Sequence, residues 1–181
     1  IILSPGLEPY DARERGELGL GRWKNVVSSV QFERILSASG PYKGVIQRPS
    51  DEKHPHKVAW IQCVGSRDFH NANPWCSSVC CMYATKEAVI AKEHQPDLDV
   101  HVFMMDMRAF SKGYEEYYHR AREKYGVHYH RCRISALRED PATGETTLKL
   151  DFPLSKIAGR SAAPAAGGDT LLLIGRRDLR S

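Results

Sequence analysis

Apolar positions along this chain follow two rhythms, and together they outline an α/β protein. Short, mostly apolar runs at residues 57–65 (KVAWIQCVG), 99–105 and 127–134 read as buried strands, the first ending in a glycine turn. Between the first two, Val79, Tyr83, Ala84, Ala88 and Ala91 recur near helical spacing, which predicts a helix over residues 77–94 closed by Pro96. Residues 113–125 form a polar, tyrosine-rich stretch stopped by Gly126, the pattern of a second helix. Strand, helix, strand, helix, strand is the order of a parallel sheet with flanking helices.

The flanks are less regular. Ile1-Ile2-Leu3 ahead of Ser4-Pro5-Gly6 reads as the end of a buried strand entering a tight turn, with a pairing partner expected upstream. Residues 7–24 are polar and turn-rich. Ser29, Phe32, Ile35 and Leu36 then space out a short amphipathic helix that Ser39-Gly40-Pro41 would stop, and residues 42–56 read as a loop or hinge. Beyond the sheet unit, residues 134–139 and 146–152 flank Asp140-Pro141-Ala142-Thr143-Gly144, a β-hairpin signal with Pro and Gly in the turn. Residues 161–168 are an Ala-, Pro- and Gly-rich connector, residues 169–175 a last buried strand, and residues 176–181 a polar tail. No internal repeat is present.

Composition narrows the class without choosing a function. A length of 181 residues suits one domain, or one domain with part of a second. Hydrophobic residues at 41% and charged residues at 27% are ordinary globular usage, which excludes a disordered or fibrous chain. The 26 basic and 22 acidic residues are interleaved, so the net charge of +4 builds no nucleic-acid surface. No apolar run is long enough to span a bilayer, and no signal-peptide pattern opens the chain, which points to the cytoplasm. The first residue, Ile1, makes the chain read as a fragment. The eight histidines are scattered, without the paired spacing of a catalytic zinc helix, and read as surface residues.

The chemistry lies in one short stretch. Four of the five cysteines, Cys63, Cys76, Cys80 and Cys81, fall within residues 63–81 as C-x12-C-x3-C-C. Four thiolates are enough for one tetranuclear iron–sulfur cluster. Cys63 would close a strand, while Cys76, Cys80 and Cys81 would open a helix, where free amides favour thiolates; Cys76 and Cys80, at i and i+4, would share a helix face. Zinc is the rival ligand, although the spacing lacks the two short knuckles usual for a structural zinc site. Free, buried cysteines acting as small hydrophobes are the other alternative, which clustering weakens. Disulfides do not suit a chain without a secretory context. Spacing alone leaves the cluster and its rivals open, because no ferredoxin-type run is present. Cys132, in the third strand, reads as a core residue.

Several longer motifs carry a resemblance. Ile61-Gln62-Cys63-Val64-Gly65-Ser66-Arg67-Asp68, then Cys76-Ser77-Ser78-Val79-Cys80-Cys81-Met82-Tyr83-Ala84-Thr85-Lys86, then Gly113-Tyr114-Glu115-Glu116-Tyr117 resemble the iron–sulfur flavoprotein family of heterodisulfide reductase, its A-type component, and the bacterial relatives of that family. So do Ile1 to Pro9 and Phe32 to Gly40. The resemblance implies a thioredoxin-reductase-like core in which residues 1–56 end an FAD-binding domain and hinge. Residues 57–175 would then form an inserted, Rossmann-like second dinucleotide-type domain with a β-hairpin or meander, and residues 176–181 a tail. Where a dinucleotide-binding strand would run into G-x-G-x-x-G, this chain has Cys63-Val64-Gly65-Ser66-Arg67, which disfavours NAD(P).

By the same resemblance Cys63, Cys76, Cys80 and Cys81 would hold a [4Fe–4S] cluster, Gly6, Arg67 and Lys86 would adjoin FAD, and Lys86 would act catalytically near the flavin N5. A cation there would stabilise reduced flavin. FAD binding would need the remainder of a full-length protein. The implied activity is that of an oxidoreductase subunit passing electrons between flavin and iron–sulfur centres, with flavin-based electron bifurcation in the full family. Its partners would be other heterodisulfide reductase-type subunits, ferredoxin, and electron-delivering subunits of a hydrogenase or formate dehydrogenase. A catalytically silent zinc-binding or scaffold module of the same fold is the alternative reading.

Overall fold

In the computed structural model, residues 1–2, 9–69, 73–139, 146–150 and 170–174 are described, with residues 139, 146–150 and 170–174 as backbone alone. After two 3-10 turns at Ala12–Glu14 and Gly16–Leu18, the elements run β1 (Val26–Ser28), α1 (Ser29–Leu36), β2 (Lys57–Ile61), α2 (Cys80–His94), β3 (Asp99–Met104), α3 (Tyr114–Glu123), β4 (His128–Arg131), β5 (Ile134–Glu139), β6 (Thr146–Leu150) and β7 (Thr170–Ile174). Strands β1, β7, β2, β3 and β4, in that spatial order, form one sheet in which every pair is parallel. β5 and β6 make a separate antiparallel hairpin with an irregularity between Ile134 and Ala136. The expected α/β fold with a parallel sheet, flanking helices and a hairpin is therefore present.

Alternation along the strands sends side chains to two cores. Val58, Trp60, Val100 and Val102 pack with Phe32 and Ile35 of α1, Ala84, Ala88 and Ala91 of α2 and Ala121 of α3. The three alanines of α2 are almost fully buried, and their small size lets the helix lie close on the sheet. Ala59, Ile61 and Phe103 point the other way, to Ala12, Leu18, Val64, Cys132, Ile134 and Leu137. Helix α1 starts where Ser28 and Gln31 form a capping box: Gln31 N–H donates to Ser28 Oγ (3.3 Å) and Ser28 N–H to Gln31 Oε1 (2.8 Å).

Four expectations need correction. Ile1 and Ile2 lie outside any strand and are fully exposed, with no described strand to pair with them. Helix α2 begins at Cys80 rather than near Ser77, because Ser78 takes a left-handed backbone conformation (φ 62°) that a helix does not continue through. Cys76 consequently precedes the helix and shares no face of it with Cys80. The run at 127–134 divides: Cys132 N–H still donates to Met104 O (2.8 Å), but the chain then turns into β5 and pairs with β6.

The histidines are also not uniformly superficial. His101 is buried, and it stacks with His128 (5.0 Å) and His130 (5.1 Å), which in turn stacks on Phe103 (4.7 Å). The β3–β4 register, His101 beside His128 and Phe103 beside His130, places them together. Asp99 Oδ1 lies 2.9 Å from His101 Nε2, close but poorly aligned for a full hydrogen bond. Burial lowers His101, and lowers His130 to about 4. Cys132 is buried as expected, its thiol pushed up to about 11 by burial. Among the described residues no helix is long and apolar enough to cross a membrane.

Candidate functional site

The thiols meet at the carboxyl end of the parallel strands, where α/β sheets place their ligands. Strand β2 delivers Cys63: Gln62 N–H still donates to Phe103 O (2.9 Å), and at Cys63 the backbone leaves the sheet with φ 62°. Ser66 N–H closes the turn on Cys63 O (3.2 Å). Gly65 in this turn has φ 68° and presses against Tyr10, whose ring would lie 2.6 Å from an added Cβ, so glycine is needed for conformation and for space.

A tied loop carries the chain from Cys63 to Cys76. Arg67 N–H donates to Trp75 O (2.9 Å), Asp68 and Asn73 exchange two backbone hydrogen bonds, and the Asn73 amide donates to Gly65 O. Asp68 is buried and pairs with Arg15 (2.9 Å) and Arg133 (3.7 Å). These bonds fold the loop back so that half-buried Cys76 reaches the start of α2, where Cys80 and Cys81 are buried. Ser78 N–H points at Cys76 Sγ (3.4 Å), and Val79 at the N-cap gives the first turn no side-chain cap.

All five cysteines are free thiols. Burial pushes Cys63 up to about 11; a hydrogen bond from the Met105 backbone opposes the rise, and neighbouring Cys80 and Cys76 add to it. Cys81 is raised strongly, first by its hydrogen bond with Cys80, then by burial and by the proximity of Cys80 and Cys63. Cys80 and Cys76 therefore lie close enough to Cys63, and Cys80 and Cys63 close enough to Cys81, to oppose the ionisation of those two thiols. Among the described residues no three His, Cys, Asp or Glu side chains converge tightly enough to chelate one ion.

Cations border the thiols. Arg67 Nη1 donates to Asp106 Oδ1 (2.6 Å) and favours the Cys63 thiolate, and Arg108 pairs with the same carboxylate (3.2 Å) beside Cys76 and Cys81. Cys81 Sγ lies 3.6 Å from Asp106 O. Asp106 and Arg108 were not among the residues that the sequence singled out. Their position just past β3, the neighbour of β2, was the available signal.

Lys86 is placed elsewhere. It lies one and a half turns along α2, half-exposed, with Nζ donating to Glu33 Oε1 of α1 (2.9 Å) and standing over the Tyr83 ring. None of its contacts is a cysteine. Gly6 falls outside the described residues.

Comparison with known proteins bears on this arrangement. A family model described as "Protein of unknown function (DUF1173)" matches residues 115–174. Over 154 residues the chain is 49% identical to an A-type iron–sulfur component of the CoB–CoM heterodisulfide reductase of Methanopyrus kandleri, covering 85% of this chain and 24% of that protein. It is 41% identical over 180 residues to the A-type component of the H(2):CoB-CoM heterodisulfide,ferredoxin reductase of Methanothermobacter marburgensis, covering 94% of this chain and 27% of that one. With the A-type component of the H(2)/formate:CoB-CoM heterodisulfide,ferredoxin reductase of Methanococcus maripaludis it shares 44% over 154 residues, 85% of this chain and 23% of the relative. The chain belongs to the A-type family of heterodisulfide reductase. It spans about a quarter of the length of these relatives.

Proposed function

We propose that this segment is the part of an electron-transferring oxidoreductase subunit that binds a [4Fe–4S] cluster through Cys63, Cys76, Cys80 and Cys81. The observation that carries the reading is the gathering of four thiols, three of them buried, at the end of β2 and the start of α2. Burial and the neighbouring thiols oppose the Cys63 and Cys81 thiolates, and bound iron would supply the compensating positive charge. The residues fit the group: amides of Ser78, Met105 and Arg108 are directed at sulfurs, and Arg67 and Arg108 border the site. A single tetrahedral ion, with bonds of about 2.3 Å to each sulfur, would draw the thiols together more tightly than they are found, whereas a cluster gives each thiolate its own iron.

The cluster would exchange single electrons with FAD, which couples one- and two-electron donors. This chain's residues would hold the sulfurs and offer Lys86 as a cation for the flavin side. The flavin contacts of Gly6, Arg67 and Lys86, and the division of the chain at residues 56–57 and 175–176, are part of this proposal. So are a cytoplasmic location, electron bifurcation, and partnership with ferredoxin, with heterodisulfide reductase-type subunits and with hydrogenase or formate dehydrogenase subunits. The names of the relatives support the partners.

The test is anaerobic purification of the full-length protein, followed by iron, acid-labile sulfide and zinc analysis and electron paramagnetic resonance after dithionite reduction. Cys76→Ala should lose about four irons and four sulfides relative to the wild type. Full retention in that variant, or zinc in the wild type, refutes the assignment and favours a scaffold.

A further inference from the structure

The helix-covered face of the sheet buries an acid that the thiol chemistry does not use. Glu87, one turn after Tyr83 in α2, has a relative exposure of 0%. Trp60 Nε1–H donates to its Oε2 (2.8 Å), while Oε1 has no partner at full hydrogen-bonding distance. Glu87 also lines a cleft of about 430 Å³ between α1 and α2, together with Glu33, Arg34 and Lys86. At Glu33, on the wall of that cleft, the Tyr83 hydroxyl donates to Oε2 and Lys86 Nζ donates to Oε1 (2.9 Å). Glu87 acts on the same Tyr83 hydroxyl from the core side. The charged and titratable groups that face Glu87 are therefore Tyr83 and Lys86 from its own helix and Glu33 and Arg34 from α1; β2 contributes the Trp60 N–H.

Tyr83 has one hydroxyl proton and a carboxyl on each side. While Glu87 is a neutral acid, its O–H can donate to the Tyr83 oxygen, and Tyr83 commits its own proton to Glu33. If Glu87 loses its proton through the cleft, the buried carboxylate becomes the more demanding acceptor and the Tyr83 O–H turns to it. Glu33 then shifts its pairing towards Lys86, which also feels one more negative charge. We propose that Glu87 is a buried, proton-carrying acid whose protonation decides which carboxyl Tyr83 donates to, and so how firmly Glu33 holds Lys86. One proton leaves to solvent and no electron moves. Glu87 is a positioning residue, and its effect on flavin rests on the reading that sets Lys86 beside that cofactor.

The experiment uses the full-length protein. Infrared titration should show a protonated carboxylic acid at neutral pH that ionises around pH 8, where burial holds the group, and Glu87→Gln should remove the band. Competitive acetylation of Lys86, read by mass spectrometry, should agree between wild type and Glu87→Gln near pH 6. Above about pH 8 the wild type should fall behind by roughly tenfold, the effect of one nearby charge. Tyr83→Phe should keep the band and shrink that gap. Absence of a protonated acid at neutral pH, survival of the band in Glu87→Gln, or identical acetylation profiles would overturn the proposal. If the switch behaves as expected but Lys86→Gln leaves the flavin potential unchanged, the flavin reading fails and the switch stands.

Discussion

Helix α2 presents two buried acidic sites less than three turns apart, and they solve one problem differently. At its first turn, Cys80 and Cys81 meet Cys63 and Cys76; near its middle, Glu87 meets the Trp60 N–H and the Tyr83 hydroxyl. Burial disfavours the ionised form at both. At Glu87 a retained proton answers that cost, since one donor and one hydroxyl suffice for a neutral acid. At the thiols, like groups crowd together with cations at the rim, and on the proposed reading bound iron would supply the positive charge that ionisation needs. Depth alone therefore does not determine what a buried acid is for; on the proposed reading, its neighbours decide whether it keeps its proton or exchanges it for metal.

Substitutions can break this contrast at either end. The largest effect is expected for Cys80→Ala in the full-length protein, which should lose essentially all cluster iron and sulfide on analysis, while Glu87→Gln retains them; equal loss in both would make the two sites one. Next comes Trp60, fully buried against Phe32 with ring centroids 5.5 Å apart. Trp60→Ala should cost about 3–5 kcal/mol in denaturant unfolding. Trp60→Phe, which mainly removes the donor to Glu87, should cost about 1–3 kcal/mol.

The pH dependence of stability sharpens the comparison further. Burial raises Glu87 to about 8, above its ordinary value of 4.5. The folded state therefore keeps a proton that the unfolded state has released, so stability should fall as pH rises between those values and level off above them. Wild type should lose up to about 4 kcal/mol more than Glu87→Gln across that window, read from thermal unfolding. The histidine stack should give the smallest effect, with opposite sign. Burial lowers His130 from 6.5 to about 4, so its stabilisation is complete above the upper value and fades as pH falls towards the lower. Because the ring is partly exposed, His130→Gln should flatten only about 1–2 kcal/mol of that acid limb.

Much of this architecture was legible from periodicity. β2, β3 and α3 lie where the apolar spacing placed them, α2 does so from Cys80 onward, and β5 and β6 pair as the hairpin signal predicted. What escaped depended on distant contacts or on one unusual torsion. β1 is only three residues long and exists because β7 pairs with it. Cys76 left the helix through the positive φ of Ser78, a residue with no strong preference for that conformation. The four thiols were visible as a cluster along the chain, but Asp106 and Arg108 join them only through the β2–β3 register, and Glu33 meets Lys86 only because α1 packs on α2. Glu87 had a signal of its own: a carboxylate one turn from Tyr83 and Ala91, among buried alanines.

The place of β7 governs how the molecule can be made. It is the last strand of the sheet in sequence yet lies between β1 and β2, pairing Leu172 with Val26 on one side and with Ala59 on the other. During synthesis β2, β3 and β4 can associate early, but β2 keeps an unpaired inner edge until residues 170–174 leave the ribosome. For that interval the nascent chain exposes an apolar strand edge close to the free thiols, so shielding of the edge becomes a matter of timing, and under the proposed cluster assignment delivery of iron and sulfide would be timed with it. Closure across such long sequence separations is slow relative to local pairing. A cell making this protein therefore has to protect an incomplete sheet until its last strand arrives to frame the thiol corner.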